Sequence, residues 1–166
     1  MEAETSTFLW VSPDGKYEAR LERAPWELIT RVCDGANGVE AGGILIGYYT
    51  ADRRAAVITE ASLPPPDSRR GSTWFDRGIV GLRRLLAKRW GYSPRRHYIG
   101  EWHYHPSTWV EPSAVDHAQM FEIAAAPAYD CAAPVMLLAG MGALDDRPLR
   151  LFVFPKGKEM VTLVPG

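Results

Sequence analysis

Cysteine is scarce in this 166-residue chain, with only Cys33 and Cys131 present. They form no Cys-x-x-Cys unit and read as two small buried hydrophobes rather than a disulfide. Long apolar runs are missing as well. Nothing approaches the roughly 18 residues of a membrane span, and the opening Met1-Glu-Ala-Glu-Thr lacks the basic start of a signal peptide. A reducing cytoplasm with no membrane attachment is the expected setting. There is no excess of either charge, with 19 Lys plus Arg against 20 Asp plus Glu. That balance argues against a nucleic-acid binder, which needs clustered positive charge to neutralise phosphates. Internal repeats and low-complexity tracts are also absent. What remains is 46% hydrophobic with six tryptophans, the composition of one globular domain over residues 1–166 that is long enough to bury a core without staples.

Taken in order, Phe8 to Val11 and Tyr17 to Leu21 flank the turn Ser-Pro-Asp-Gly and read as a hairpin. Pro25 suits the first turn of a helix, carried on by Leu28, Ile29, Val32, Cys33 and Ala36 and stopped by Asn37-Gly38. Gly43 to Tyr49 has the apolar run of a buried central strand, with Ala55 to Ala61 as its neighbour. Glu40 therefore stands at a helix-to-strand junction. Leu63-Pro-Pro-Pro-Asp-Ser-Arg-Arg-Gly is a turn-rich connector, and Ser72 to Phe75 reads as a short edge strand.

Ile79, Leu82, Leu85, Leu86 and Trp90 mark a helix over Gly78 to Trp90, closed by Gly91. Arg83, Arg84, Lys88 and Arg89, with Arg95 and Arg96 beyond it, make an ordinary solvated face or a dock for an acidic partner. Further strands are expected over His97 to His105, Ala133 to Ala139, Leu149 to Phe154 and Met160 to Val164. The core is expected from Ile44, Leu45, Ile46, Val57, Leu82, Leu86, Ile99, Phe121, Val135, Leu137 and Phe152.

Chemistry concentrates in Glu101-Trp-His-Tyr-His-Pro and in Ser113-Ala-Val-Asp116. His103 and His105 are two apart, so on a strand both imidazoles leave the same face. Pro106 ends that strand. Ser113 opens a run in which Ala114, Ala118, Phe121 and Ala125 have helical spacing, which sets Asp116 in the first turn. Ser-x-x-Asp before such a run is close to a capping box, and capping by itself accounts for both residues. Capping does not account for His-x-His-Pro at a strand end. If the loop folds back, Asp116 becomes a third ligand beside the histidines, leaving one tetrahedral position for water, as catalytic zinc sites do. His97 and His117, standing alone, read as satisfied core histidines.

The pattern His-x-His, seven residues, Ser, two residues, Asp, with Glu40 upstream in Glu-Ala-Gly-Gly-Ile-Leu-Ile-Gly, resembles the JAMM signature of JAB/MPN metallopeptidases. Glu40, His103, His105, Pro106, Ser113 and Asp116 all fall where that family has them, and the domain accounts for nearly the whole chain. The wording is most similar to small bacterial JAB proteins found beside ubiquitin-like activation and conjugation enzymes, including deconjugating peptidases of CBASS-type antiphage operons. Tyr104, where many members carry Ser or Thr, is the one departure, and it points to the opposite face.

The resemblance implies an α/β fold with a mixed central sheet flanked by helices. It implies Zn2+ held by His103, His105 and Asp116, Glu40 as the proton carrier, and Ser113 as a hydrogen-bond donor to the oxyanion. The substrate it implies is a ubiquitin-like protein or its conjugate, cut after its C-terminus, with activating and conjugating enzymes as further partners. Ser72, Thr73, Trp74 and Trp109 are the candidate substrate contacts. Two alternatives stay open: release of cysteine or another small amine from a sulfur-carrier tail, and a non-catalytic MPN scaffold module. HExxH is absent, as are the His-x-Glu and Pro-Cys-x-x-Cys elements of zinc deaminases.

Overall fold

The structure is a computed structural model and describes residues 7–166, so the acidic start at Met1 to Thr5 lies outside the described residues. Strands β1 (Thr7–Val11) and β2 (Glu18–Glu22) form the expected hairpin. Its turn is tied by the Ser12 hydroxyl, which donates to Asp14 at 2.8 Å and accepts the Tyr17 N–H at 2.9 Å. Helix α1 (Arg23–Asp34) follows and buries Trp26, Ile29, Thr30 and Cys33, ending at Gly35. Strands β3 (Ala41–Tyr49) and β4 (Ala55–Ala61) come next. After the proline connector, β5 (Arg69–Arg70) and β6 (Phe75–Asp76) make a two-residue hairpin. The remaining elements are α2 (Leu82–Trp90), β7 (His97–Tyr104), α3 (Ala114–Ala125), β8 (Val135–Ala139), β9 (Leu149–Val153), β10 (Val161–Thr162) and β11 (Val164–Pro165).

The main sheet has the order β10-β9-β8-β7-β3-β4-β2-β1-β11, with β2/β4 and β7/β8 parallel and the other pairs antiparallel. This is the mixed α/β architecture expected from the sequence. Its two edge strands, β10 and β11, are separated in the chain by Leu163 alone. A flat sheet of this width, at about 4.8 Å per strand, would hold its edges almost 40 Å apart. The sheet must therefore curl until its edges nearly meet. One face gathers Leu21, Ile58, Leu45, Ile99, Leu137, Leu151 and Leu163 around α1. The opposite face packs Ile44, Ile46, Met136, Leu138 and Phe152 under α3, with Leu82, Leu85 and Leu86 of α2 at its margin.

Several expectations need correction. The helix expected from Gly78 begins only at Leu82, because Gly81 takes a left-handed conformation (φ 86°) and Asp67 captures the Ile79 and Val80 N–H groups at 3.0 and 2.9 Å. Leu82 and Leu86 are half-buried rather than core, since α2 lies shallowly and buries no residue completely. Phe121 is exposed; the buried stripe of α3 is Asp116, Met120, Ile123 and Ala124, not Ala114, Ala118, Phe121 and Ala125. The helix is phased by bringing Asp116 inward, and Phe121 is left at the rim against Phe154 and His117. Of Ser72 to Phe75 only Phe75 is in a strand, while Ser72 and Thr73 form the turn. Met160 to Val164 is not one strand but divides at Leu163 between the two edges. Cys33 and Cys131 are free and buried, as expected.

Candidate metal centre

The crossover from β7 to its parallel neighbour β8 runs through α3. In such a unit the helix starts above the carboxyl end of the first strand. That geometry brings Asp116, in the first turn, over His103 and His105 at the end of β7. Asp116 Oδ1 lies 3.1 Å from His103 Nδ1, and Oδ2 lies 3.4 Å from His105 Nε2. One ligand atom from each of the three residues fits within a 4.8 Å spread. His97 and His117 stay outside the cluster, each packed against aromatic rings.

The capping box forms too. Ser113 Oγ accepts the Asp116 N–H at 3.1 Å, and Asp116 Oδ2 accepts the Ser113 N–H at 2.8 Å. One carboxylate thus locks the helix start and faces two imidazoles. Because the serine accepts through a lone pair, its own O–H proton is left to donate elsewhere.

Glu40 arrives from the junction before β3, the neighbour of β7 on the side away from β8. The β3/β7 ladder pairs Ala41 with Tyr104 and Gly42 with His103, and one step further sets Glu40 opposite His105. Glu40 Oε1 stands 3.8 Å from His105 Nε2, beyond a hydrogen bond but within reach of a shared water. Its backbone N–H is held by the Gly71 carbonyl at 2.8 Å. The two glycines after it are required by contact. A Cβ on Gly42 would lie 2.8 Å from both His103 Cδ2 and Phe75 Cε1, and one on Gly43 would lie 2.7 Å from Trp102 Nε1. Phe75 in turn meets His103 edge-on, with centroids 5.3 Å apart.

The electrostatics follow from burial and charge. Burial alone would raise the Asp116 carboxyl, but its contacts with His103 and His105 outweigh that and hold it well below the usual carboxylate range. Burial works against a charged His105, yet Asp116 and Glu40 raise it above the ordinary imidazole value. Glu40 is raised chiefly by burial, with His105 and His103 opposing. The donor set of two imidazoles and one carboxylate suits a divalent ion with an open position. His103 Nε2, buried without a hydrogen-bond partner among the described residues, is a nitrogen still available to a ligand.

Of the candidate substrate contacts, Ser72, Thr73, Trp74 and Trp109 are all exposed, Trp109 at 76%. The sequence does not announce the buried ion pair that stands beside the histidines. Arg77 reaches both Glu101 carboxylate oxygens at 2.9 Å, and also donates to the Gly78 carbonyl and Tyr129 hydroxyl. Its one sequence signal is a carboxylate, Glu101, two residues before His103 inside an otherwise buried strand.

Residues 26–151 match the family model for prokaryotic homologues of the JAB domain. A protein named CD-NTase/cGAS isopeptidase from Enterobacter hormaechei subsp. hoffmannii (strain UCI 50) is 42% identical over 137 residues, covering 82% of this chain and 75% of that protein. Another of that name, from Pseudomonas aeruginosa (strain BWHPSA011 / Pa011), is 23% identical over 159 residues, covering 95% and 89%. Among solved structures, a solution structure from Desulfitobacterium hafniense superposes with a TM-score of 0.59 at 18% identity, covering 86% of this chain and 87% of that one. At that identity it bears on the fold alone.

Proposed function

The chain belongs to the prokaryotic JAB family, and from that premise we propose that it is a single-domain, zinc-dependent isopeptidase that releases a CD-NTase-type protein from its conjugates. The reading extends to deconjugation of a ubiquitin-like tag, with antiphage defence as the setting and the cytoplasm as the location. The name of the 42% identical relative supports the substrate class. The observation that carries the chemistry is the convergence of His103, His105 and Asp116 beside Glu40.

His103, His105 and Asp116 would hold the ion. When bound, it supplies Lewis acidity and lowers the pKa of a water molecule towards about 7. Glu40 accepts a proton from the attacking water and passes it to the departing lysine amine as the C–N bond breaks. Its burial and raised proton affinity suit a group that must both take and give a proton near neutrality. Ser113 donates its free O–H to the carbonyl oxygen as negative charge develops there. Asp116 stays ionised throughout, keeping Ser113 and the helix start in register with the histidines. No covalent intermediate is required, and both cysteines are buried with thiols raised by that burial, Cys33 to about 12. They have no place in the reaction.

The test is a CD-NTase joined through its C-terminal carboxyl to a target lysine. Wild-type chain should release both partners intact, while a chelator or Glu40→Gln should stop release. A metal-loaded chain that leaves this conjugate whole but cuts a ubiquitin-like fusion would contradict the substrate class and keep the chemistry. Failure on both would contradict the peptidase reading.

A further inference from the structure

Residues 77–100 hold seven cations, Arg77, Arg83, Arg84, Lys88, Arg89, Arg95 and Arg96, and no carboxylate, in a chain whose overall charge is only -1. Two of them are paired within the fold, Arg77 with Glu101 and Arg89 with Glu60. The other five make no ion pair with any described residue, and Arg83, Arg84, Lys88 and Arg95 are exposed. Apolar side chains stand open at both ends of the same segment: Ile79 at 71% and Val80 at 56% before α2, Trp90 at 51% as its last residue and Tyr92 at 45% after it. A helix of nine residues with no buried member is held to the body chiefly by its Leu82, Leu85 and Leu86 edge. Its outward side therefore combines unpaired positive charge with apolar anchors.

Arg, Trp and Tyr around an aliphatic patch is the composition of a protein-binding centre. Single-stranded nucleic acid also uses cations and rings, but it needs free ring faces on which bases stack. Here the rings are engaged. The Arg95 guanidinium sits 4.9 Å from the Trp90 centroid, and that of Arg89 sits 5.3 Å from the Tyr92 centroid. Ile79 and Val80 offer nothing to a base but suit a buried aliphatic contact. The charge calls for an anionic partner, and the apolar rim calls for a polypeptide.

We propose that the outward face of α2, with Ile79, Val80, Trp90 and Arg95 at its ends, docks an acidic segment of a partner protein in which carboxylates alternate with large apolar residues. Arg83, Arg84 and Lys88 supply the charge contacts and the aromatic and aliphatic ends the apolar ones. None of these side chains shares a hydrogen bond, ion pair or ring contact with Glu40, His103, His105, Ser113 or Asp116, so docking does not depend on hydrolysis.

The experiment is fluorescence anisotropy at low ionic strength with the full chain and two labelled probes of equal net charge, a Glu/Leu-alternating peptide and an oligothymidylate. The wild type and Glu40→Gln should bind the peptide equally. Arg83→Glu/Arg84→Glu/Lys88→Glu should bind it at least about tenfold more weakly, at little changed melting temperature, because those side chains are exposed and make no ion pair with any described residue. Ile79→Ser/Val80→Ser should weaken it without altering the salt dependence. Absence of peptide binding by the wild type, equal binding by the charge-reversed chain, or tighter binding of the oligothymidylate would each overturn the proposal.

Discussion

At the scale of single residues, the candidate site depends on what is absent from Gly42 as much as on what His103, His105 and Asp116 present. Gly42→Ala places a methyl 2.6 Å from the Trp102 carbonyl oxygen and 2.8 Å from His103 and Phe75. One of those neighbours is backbone and the other two are packed rings, so the expected cost is about 1–3 kcal/mol, read by urea unfolding, with metal affinity falling as His103 is pushed aside. Unchanged stability and affinity would show that the strand pair has slack. His105 gives a pH test on metal-stripped protein. Its folded pKa is raised above the unfolded value near 6.5 by Asp116 and Glu40. The stability it contributes is complete below about 6.5 and lost as pH rises through the folded value. The melting-temperature advantage of wild type over His105→Gln should therefore shrink as pH rises above about 6.5 and through the folded value. An advantage that stays constant or grows would refute the charge arrangement. Most of these residues were legible in the sequence, because Glu40, His103, His105, Ser113 and Asp116 carry a fixed spacing. Arg77 was not. Nothing local marks an arginine in a loop as the partner of a strand carboxylate 24 positions on.

At the scale of elements, that Arg77–Glu101 pair joins the segment after β6 to β7, just behind His103. Both side chains are almost fully buried, at 4% and 0% exposure. Burial works against the charge on each: for Arg77 the attraction of Glu101 outweighs it, whereas the Glu101 carboxyl stays raised by its complete burial despite Arg77. Removing one partner leaves a bare buried charge, so Arg77→Met should destabilise by about 3–5 kcal/mol. Arg77→Met/Glu101→Leu should recover much of the loss in the same denaturation series. A double variant no more stable than the single one would show that the pair acts through more than charge. The helices and strands themselves were mostly readable, since apolar periodicity and Gly or Pro punctuation mark their interiors. The errors came where tertiary contacts overrode local pattern. Asp67 holds Ile79 and Val80 out of α2 by taking their N–H groups, and Asp116 turns α3 so that Phe121 faces outward.

At the scale of the whole molecule, sheet closure was hidden because Met160 to Val164 has the pattern of a single strand. It serves both edges instead, and Leu163, 2% exposed, packs at the join with its N–H on the Leu151 carbonyl at 3.0 Å. Leu163→Ala should cost about 2–5 kcal/mol in thermal or urea unfolding, and a loss within error would mean that the edges do not depend on it. The pairing of β3 with β7 and the crossover from β7 through α3 to β8 are what let a junction residue before β3, a strand end on β7 and a helix start on α3 meet at one point. The measurement that tests this account most directly is elemental analysis of the purified chain, Glu40→Gln and His103→Ala, each paired with cleavage of the CD-NTase conjugate. About one zinc per chain is expected in the first two, little in the third, and cleavage by the wild type alone. Stoichiometric zinc in His103→Ala, or turnover by Glu40→Gln, would contradict it.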